Sequence, residues 1–196
     1  MIMNFLSVYP FIKMSILKYK KQSIITLLLF TMISPCYGKI YYSKNEAMEL
    51  AFGKNTTVEM LSLFPTEEQL TQIEKLARVK MESSLYTFYA GKKDGKVLGY
   101  AAIENHTVRT KPETLLVLLS PQGQVKAIHT LAFHEPPEYQ PPQRWYQQLY
   151  KRELEQLSFR ADIQGITGAT LSTRSAINIT RKVMAVYQIL VKDKQD

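Results

Sequence analysis

The sequence predicts an α+β fold, a mostly antiparallel sheet with flanking helices in a single domain. Three observations predict it. Residues 85–133 hold four apolar or aromatic runs joined largely by short turn signals. Segments on both sides carry helical periodicity. The length, 196 residues, suits one domain. Ser43 with Glu46 three residues on is a capping box, opening a short helix to about Phe52. The stretch 55–64 is ambiguous, with Val58, Met60 and Leu61 suited to a strand. Thr66 with Gln69 repeats the capping pattern, and Leu70, Ile73, Leu76 and Ala77 form one helical face. Leu85 to Ala90 and Val97 to Ile103 read as strands around the turn Lys93-Asp94-Gly95. Thr114 to Leu119 and Val125 to Phe133 follow, around Pro121-Gln122-Gly123. Helices before and after this block predict helices packed on one face of the sheet. Pro136, Pro137, Pro141 and Pro142 make a stiff loop, because apolar pattern resumes on both sides.

The last element is a helix over Leu171 to Leu190, a stretch without Gly or Pro. Ala176, Ile177, Met184, Tyr187 and Leu190, with Ile179, Val183 and Val186 beside them, fit one broad face. Ser172 or Thr173 can serve as N-cap, and Lys192 and Lys194 follow the negative end of the dipole. Directly before this helix stands Thr167-Gly168-Ala169-Thr170. The Thr170 hydroxyl thus projects where free N–H groups and the positive dipole end converge, a seat for phosphate. Gly168 and Ala169 leave the backbone open to a bulky phosphorylated ligand.

At the other terminus, Lys18, Lys20 and Lys21 precede an apolar run from Ile24 to Ile33, and small residues follow around Gly38. That layout is a secretory signal peptide, residues 1–38, with cleavage after Gly38; an uncleaved anchor is the alternative. The run is about half of the roughly 20 residues a membrane-spanning helix needs. A lipoprotein anchor at Cys36 fits poorly behind Pro35. Cleavage leaves residues 39–196 and removes the only cysteine, so disulfides, thiolate metal sites and Cys-x-x-Cys-His haem attachment are excluded from the mature chain. It also removes four lysines and no acid, taking the formal charge from +8 to +4. Nucleic acid is therefore not an expected partner.

The run Gly165-Ile166-Thr167-Gly168-Ala169-Thr170-Leu171-Ser172 resembles the covalent flavinylation motif of the FMN-binding domain family. That family includes the C subunit of the sodium-translocating NADH:quinone reductase, the G subunit of the Rnf complex and small exported flavoproteins. The resemblance covers the motif region, about 112–191. It implies FMN joined to Thr170 through a phosphoester, with Thr167, Gly168, Ala169, Leu171 and Ser172 around it. Upstream, His134-Glu135-Pro136-Pro137 stands where the family has a His-Glu-Thr-Pro-Gly-like loop, and Arg144 to Gln156 stands where it has an aromatic-containing helix. His134 and Glu135 could then line the ring edge and exchange protons with reduced flavin; a structural loop is the plain alternative. Gln164 replaces an Asp common in the family.

Trp145, Tyr146 and Tyr150 read as a core face, with stacking on the flavin ring the rival reading; His106 and His129 read as structural. No histidine pair has metal-ligand spacing, and no Gly-x-Ser-x-Gly, P-loop or dinucleotide fingerprint occurs. No catalytic residue and no metal ligand is assigned. The expected function is an exported electron carrier at the extracytoplasmic or periplasmic face of the membrane, more an electron carrier than an independent enzyme. The resemblance implies a flavin transferase that loads it and a membrane redox complex, cytochrome or quinone-linked enzyme as electron partner. The alternatives are an oxidoreductase component acting on a small molecule and a cofactor-free binding module of the same fold. N-terminal sequencing of the native protein should begin at Lys39; recovery of the intact apolar segment in membranes would replace cleavage by anchoring.

Overall fold

Apolar runs between residues 39 and 133 build a six-stranded antiparallel sheet. In a computed structural model the structure describes residues 38–159 and 162–192. The expected signal peptide, apart from Gly38, and Lys194 lie outside the described residues, Cys36 with them. The strands are β1 (Lys39–Ile40), β2 (Thr57–Leu63), β3 (Tyr86–Lys93), β4 (Lys96–Thr107), β5 (Pro112–Leu119) and β6 (Val125–Phe133). Their order across the sheet is β1-β6-β5-β4-β3-β2, with every neighbouring pair antiparallel. The four expected strands form its centre, and β1 and β2 complete the two edges. Asp94 and Gly95 take φ of 51° and 74°, the left-handed pair that matches the twist of a tight hairpin between β3 and β4.

Both predicted capping boxes form. Ser43 Oγ accepts from Glu46 N at 3.3 Å and starts α1 (Lys44–Phe52). Thr66 Oγ1 accepts from Gln69 N at 3.2 Å and starts α2 (Glu67–Ala77). The last helix, α3, spans Thr170–Leu190 and buries all eight apolar positions of its expected face.

Helices cover both faces of the sheet, which corrects the expectation of one. On one face α2 and α3 close a core that includes Phe88, Leu115, Val117, Ile128, Ile179 and Val183. On the other, Ala47 and Met48 of α1 pack on Ala101, Leu116, Leu118 and Leu131. The physical reason lies in β5: Leu115 to Leu119 is apolar without alternation, so both of its faces must be covered.

The expected single helix over 144–156 is also corrected. Three short 3₁₀ segments stand between β6 and α3: Pro137–Tyr139, Gln143–Leu149 and Leu154–Gln156. Lys151 takes φ of 57° and gives its N–H to Val125 O on β6. That contact breaks the chain's path before a continuous helix can form. Trp145, Tyr146 and Leu149 are still buried, so the core reading of the two aromatics stands. Tyr150 is half-buried, with its hydroxyl accepting from Ile128 N.

Polar ties set the position of α3 along the sheet. Tyr187 packs its ring 5.4 Å from that of Tyr100 and donates its hydroxyl to Pro121 O at 2.6 Å. Lys182 pairs with Glu104 of β4 at 2.6 Å. Arg181 is buried and donates to Ala77 O at 2.7 Å, Leu76 O at 3.1 Å and Leu157 O at 3.3 Å. Its Nε and Nη groups thereby satisfy the C-terminal carbonyls of α2, which have no helical partner. Helix α3 consequently runs in the direction of β5, with its first turns at the end of the sheet where β4 stops, β5 starts and β6 stops. Arg181→Met keeps much of the stem and orphans three carbonyls. It should lower unfolding free energy by about 2 kcal/mol in urea titrations; an unchanged midpoint would show that water replaces the guanidinium at no cost.

Candidate functional site

The start of α3 is an uncapped helix end. Its N-cap is Ala169, with no side chain bonded to the first turn. The first helical bond runs from Thr173 N to Ala169 O at 3.0 Å. The N–H groups of Thr170, Leu171 and Ser172 therefore have no acceptor inside the helix. Ser172 and Thr173, expected as caps, lie within the first turn and are buried, which corrects that reading. The helix begins one residue earlier than the apolar pattern indicates, because Gly168 at φ +86° turns the chain and Ala169 N closes on Ile166 O at 3.0 Å.

The motif residues divide by exposure. Thr167, Gly168 and Thr170 are exposed, and Leu171 is 44% exposed. Beyond Gly168 itself and its two chain neighbours, no described atom lies within 4 Å of where a Gly168 Cβ would stand. Ala169 differs from expectation: it is buried and points its methyl inward. Thr170 Oγ1 donates to Ile166 O at a long 3.3 Å and lies at the surface. Arg174, also exposed, follows one turn later on the same helical face. The loop leading in is held by its backbone. Trp145 Nε1 donates to Gln164 O at 2.6 Å, and Gln164 N donates to Gln148 Oε1 at 2.9 Å. The Trp145 indole edge is thus engaged by this loop.

His134 and Glu135 follow β6 at the same end of the sheet, and the segment Pro137–Tyr139 packs on α3. The His134 N–H donates to Pro112 O at 3.1 Å, and its ring stands where a Cβ on Gly38 would collide. Glu135 has a structural task. Its Oε1 accepts from the backbone N–H groups of Arg109, Thr110 and Lys111 at 3.1, 2.7 and 2.8 Å. Little of Glu135 meets water, although few atoms surround it in depth; the β4–β5 turn seals it near the surface. The hydrogen bond from Thr110 N, opposed by desolvation and aided by those from Lys111 and Arg109, holds its carboxyl below the ordinary range. A carboxylate held charged by three amides is poorly suited to exchanging protons near neutral pH. Arg109 in turn covers the Tyr139 ring at 4.9 Å. Beside this corner, a cleft of about 380 Å³ is lined by residues including Tyr41, Tyr42, His129 and Gln143. Burial lowers the proton affinity of His129.

Sequence reasoning missed Glu113. It is the second residue of β5, fully buried, with neither carboxylate oxygen hydrogen-bonded. The Ser175 hydroxyl lies beside it, near enough to offset part of the burial effect but short of hydrogen-bond geometry. Ser172, one turn earlier on α3, is buried with its hydroxyl also unpartnered. Tyr146 feels the Glu113 charge and shares a 3.0 Å hydrogen bond with Thr130. The signal was present in the sequence: an acid two residues ahead of an apolar strand, in phase with Leu115, Val117 and Leu119.

Comparison with protein-family models, with curated proteins and with solved structures finds no match for this chain. Among the described residues, no group of three or more His, Cys, Asp or Glu gathers to hold a metal ion.

Burial pushes the Glu113 carboxyl up to about 7 from an ordinary 4.5. The folded state then holds a proton that the unfolded state has released between those two values. Stability is full below about pH 4.5, falls as pH rises towards 7, and levels off above it. The fall should be on the order of 3 kcal/mol. Urea unfolding of Glu113→Gln should lack this decline, so that the variant equals or exceeds the native chain at pH 8. A parallel decline in both proteins would assign the effect to another group.

Proposed function

We propose that the chain is an exported electron-transfer flavoprotein that carries FMN through a phosphoester on Thr170. The carrying observation is the start of α3: an exposed hydroxyl on the first helical residue, beside backbone amides without helical partners and without a side-chain cap. Such an end is electrostatically suited to a phosphate, and Arg174 adds a cation one turn along. Open space at Gly168 accommodates a ligand at the backbone. A second consideration narrows the choice at this corner. The amides of the β4–β5 turn already hold the protein's own Glu135 carboxylate, whereas α3 brings no carboxylate to its own first turn.

The residues therefore fit the phosphoester end of the group. Bound FMN supplies one- and two-electron redox chemistry. Thr170 supplies the attachment oxygen, and the amides of the first turn orient phosphate oxygens. On this reading an exported flavin transferase loads the chain, and a membrane redox complex, cytochrome or quinone-linked enzyme exchanges electrons with it at the periplasmic or extracytoplasmic face. A second reading, an oxidoreductase component that meets a small molecule directly, draws support from the tyrosine-lined cleft beside the 137–143 loop.

Co-expression with a flavin transferase should add one FMN, less water, and peptide mass spectrometry should place it on Thr170. Thr170→Val should stay unmodified, and Thr173→Val, a buried position, should still be modified. Covalent flavin on Thr170→Val would overturn the site. If the native chain stays unmodified while a standard family member is loaded in the same cells, Gln164→Asp separates a failed recognition sequence from a wrong assignment. Loading of that variant keeps the Thr170 site, and failure of both rejects the reading.

A further inference from the structure

Four buried polar atoms without hydrogen-bond partners lie on two elements that pack together: both carboxylate oxygens of Glu113 on β5, and the hydroxyls of Ser172 and Ser175 on α3. Buried polar groups in folded proteins are nearly always paired, so this concentration calls for an explanation. A proton is the simplest addition that relieves it. A neutral carboxyl can donate to Ser175 or accept from it, whereas a carboxylate at this depth has only the Ser175 hydroxyl beside it as a donor, too little to offset burial.

The surroundings supply little competing charge at depth, and the cation next to Ser175 on α3, Arg174, is exposed. On β4 the cross-strand partner of Glu113 is His106, which is exposed; on β6 it is Phe133. The 143–149 segment contributes Tyr146, a phenol pushed upward by burial and by Glu113 itself. The loop after β6 contributes His134 and the amide-bound Glu135, and the turn into β5 contributes Lys111. On α3 the nearest ion pair is Lys182 with Glu104, about two turns beyond Ser175.

We propose that Glu113, Ser175 and Ser172 form a buried proton site linked to charge at Thr170, such that an anion at the start of α3 draws a proton onto the Glu113 carboxyl and holds it there. The coupling follows from distance. Ser175 lies five residues along the helix from Thr170, a rise of about 7.5 Å, which places the two charges about 10 Å apart. At an effective dielectric of about 20, one negative charge at that range raises a carboxyl's titration midpoint by about one pH unit. The linkage is reciprocal, so neutral Glu113 favours the anion by the same factor. The proposal rests on the reading of Thr170 as an anion seat, and it gives that seat a pH dependence: loading at Thr170 keeps Glu113 neutral to higher pH and removes the repulsion between two anions.

The test needs no flavin. Thr170→Asp places a fixed negative charge at the first helical position, and Thr170→Asn is its neutral counterpart of the same shape. The Glu113 carboxyl is followed by carbon-13 NMR of the full folded chain labelled at glutamate, and the resonance is assigned by its loss in Glu113→Gln. Should that variant unfold, Ser175→Ala assigns the same resonance by moving its midpoint upward. The midpoint should lie about one pH unit higher in Thr170→Asp than in Thr170→Asn. Equal midpoints would overturn the linkage, and titration in the ordinary carboxyl range would overturn the proton site itself. Neither result depends on whether FMN attaches, so failure of the flavin reading is read separately by mass spectrometry.

Discussion

The guanidinium of Arg181, spread over three carbonyl oxygens, ties α2, α3 and the 154–157 segment into one layer above the sheet. Among the described residues no carboxylate pairs with it directly, so its stability depends on those dipoles. Together with Lys182 and Tyr187 it anchors the C-terminal half of α3 to three separate parts of the fold. The first two turns are different. Among the described residues, no side chain from 170 to 176 makes a hydrogen bond that leaves the helix and its lead-in loop. The helix is thus pinned at one end and held at the other mainly by apolar packing, with polar groups left over. Elements with fewer specific contacts open at lower free energy. The end of α3 that carries Thr170 is the less tightly tied end.

Two glutamates at this end of the sheet have opposite fates. Glu135 is surrounded by donors and is held charged. Glu113 is buried among apolar groups with the Ser175 hydroxyl beside it, and burial favours its neutral form. Residue type does not separate them; the count of amides aimed at each carboxyl does. The consequence for the site is a division of labour. The anion-binding turn of residues 109–111 is filled from within, which closes it to ligands and fixes the loop after β6. The uncapped start of α3 carries no such internal partner.

Much of this architecture was legible in the chain. Ser43 with Glu46 and Thr66 with Gln69 announced their helices because capping is local chemistry between residues three apart. The Asp94-Gly95 turn announced its hairpin for the same reason. What was not legible depended on contacts distant in sequence. Lys151 leaves the helical path because β6 accepts its N–H, and nothing near residue 151 says so. The second covered face was signalled by the unbroken apolar run of β5, but which helix covers it is decided by packing. At the site, the position of Thr170 beside a helix start was readable. The burial of Ser172 and Thr173 was not, because it follows from where Arg181 and Tyr187 set the helix. Glu135 gained its role from a turn 24 to 26 residues earlier.

The same contacts bear on the order in which folding and the proposed loading would occur. The core beneath α3 is complete without any group at Thr170: Ile177, Ile179, Val183 and Tyr146 are buried by protein alone. Thr167, Gly168, Thr170 and Leu171 stand in the outer layer, around the single inward methyl of Ala169. On the proposed reading, an enzyme that modifies Thr170 would meet a folded substrate and a turn whose shape is preset by Gly168 and by the Trp145 contact to Gln164 O. That contact uses the backbone of residue 164, not its side chain. The loop can keep its course whichever residue stands there, and on the proposed reading a side chain at 164 would be free to address a modifying enzyme rather than the fold.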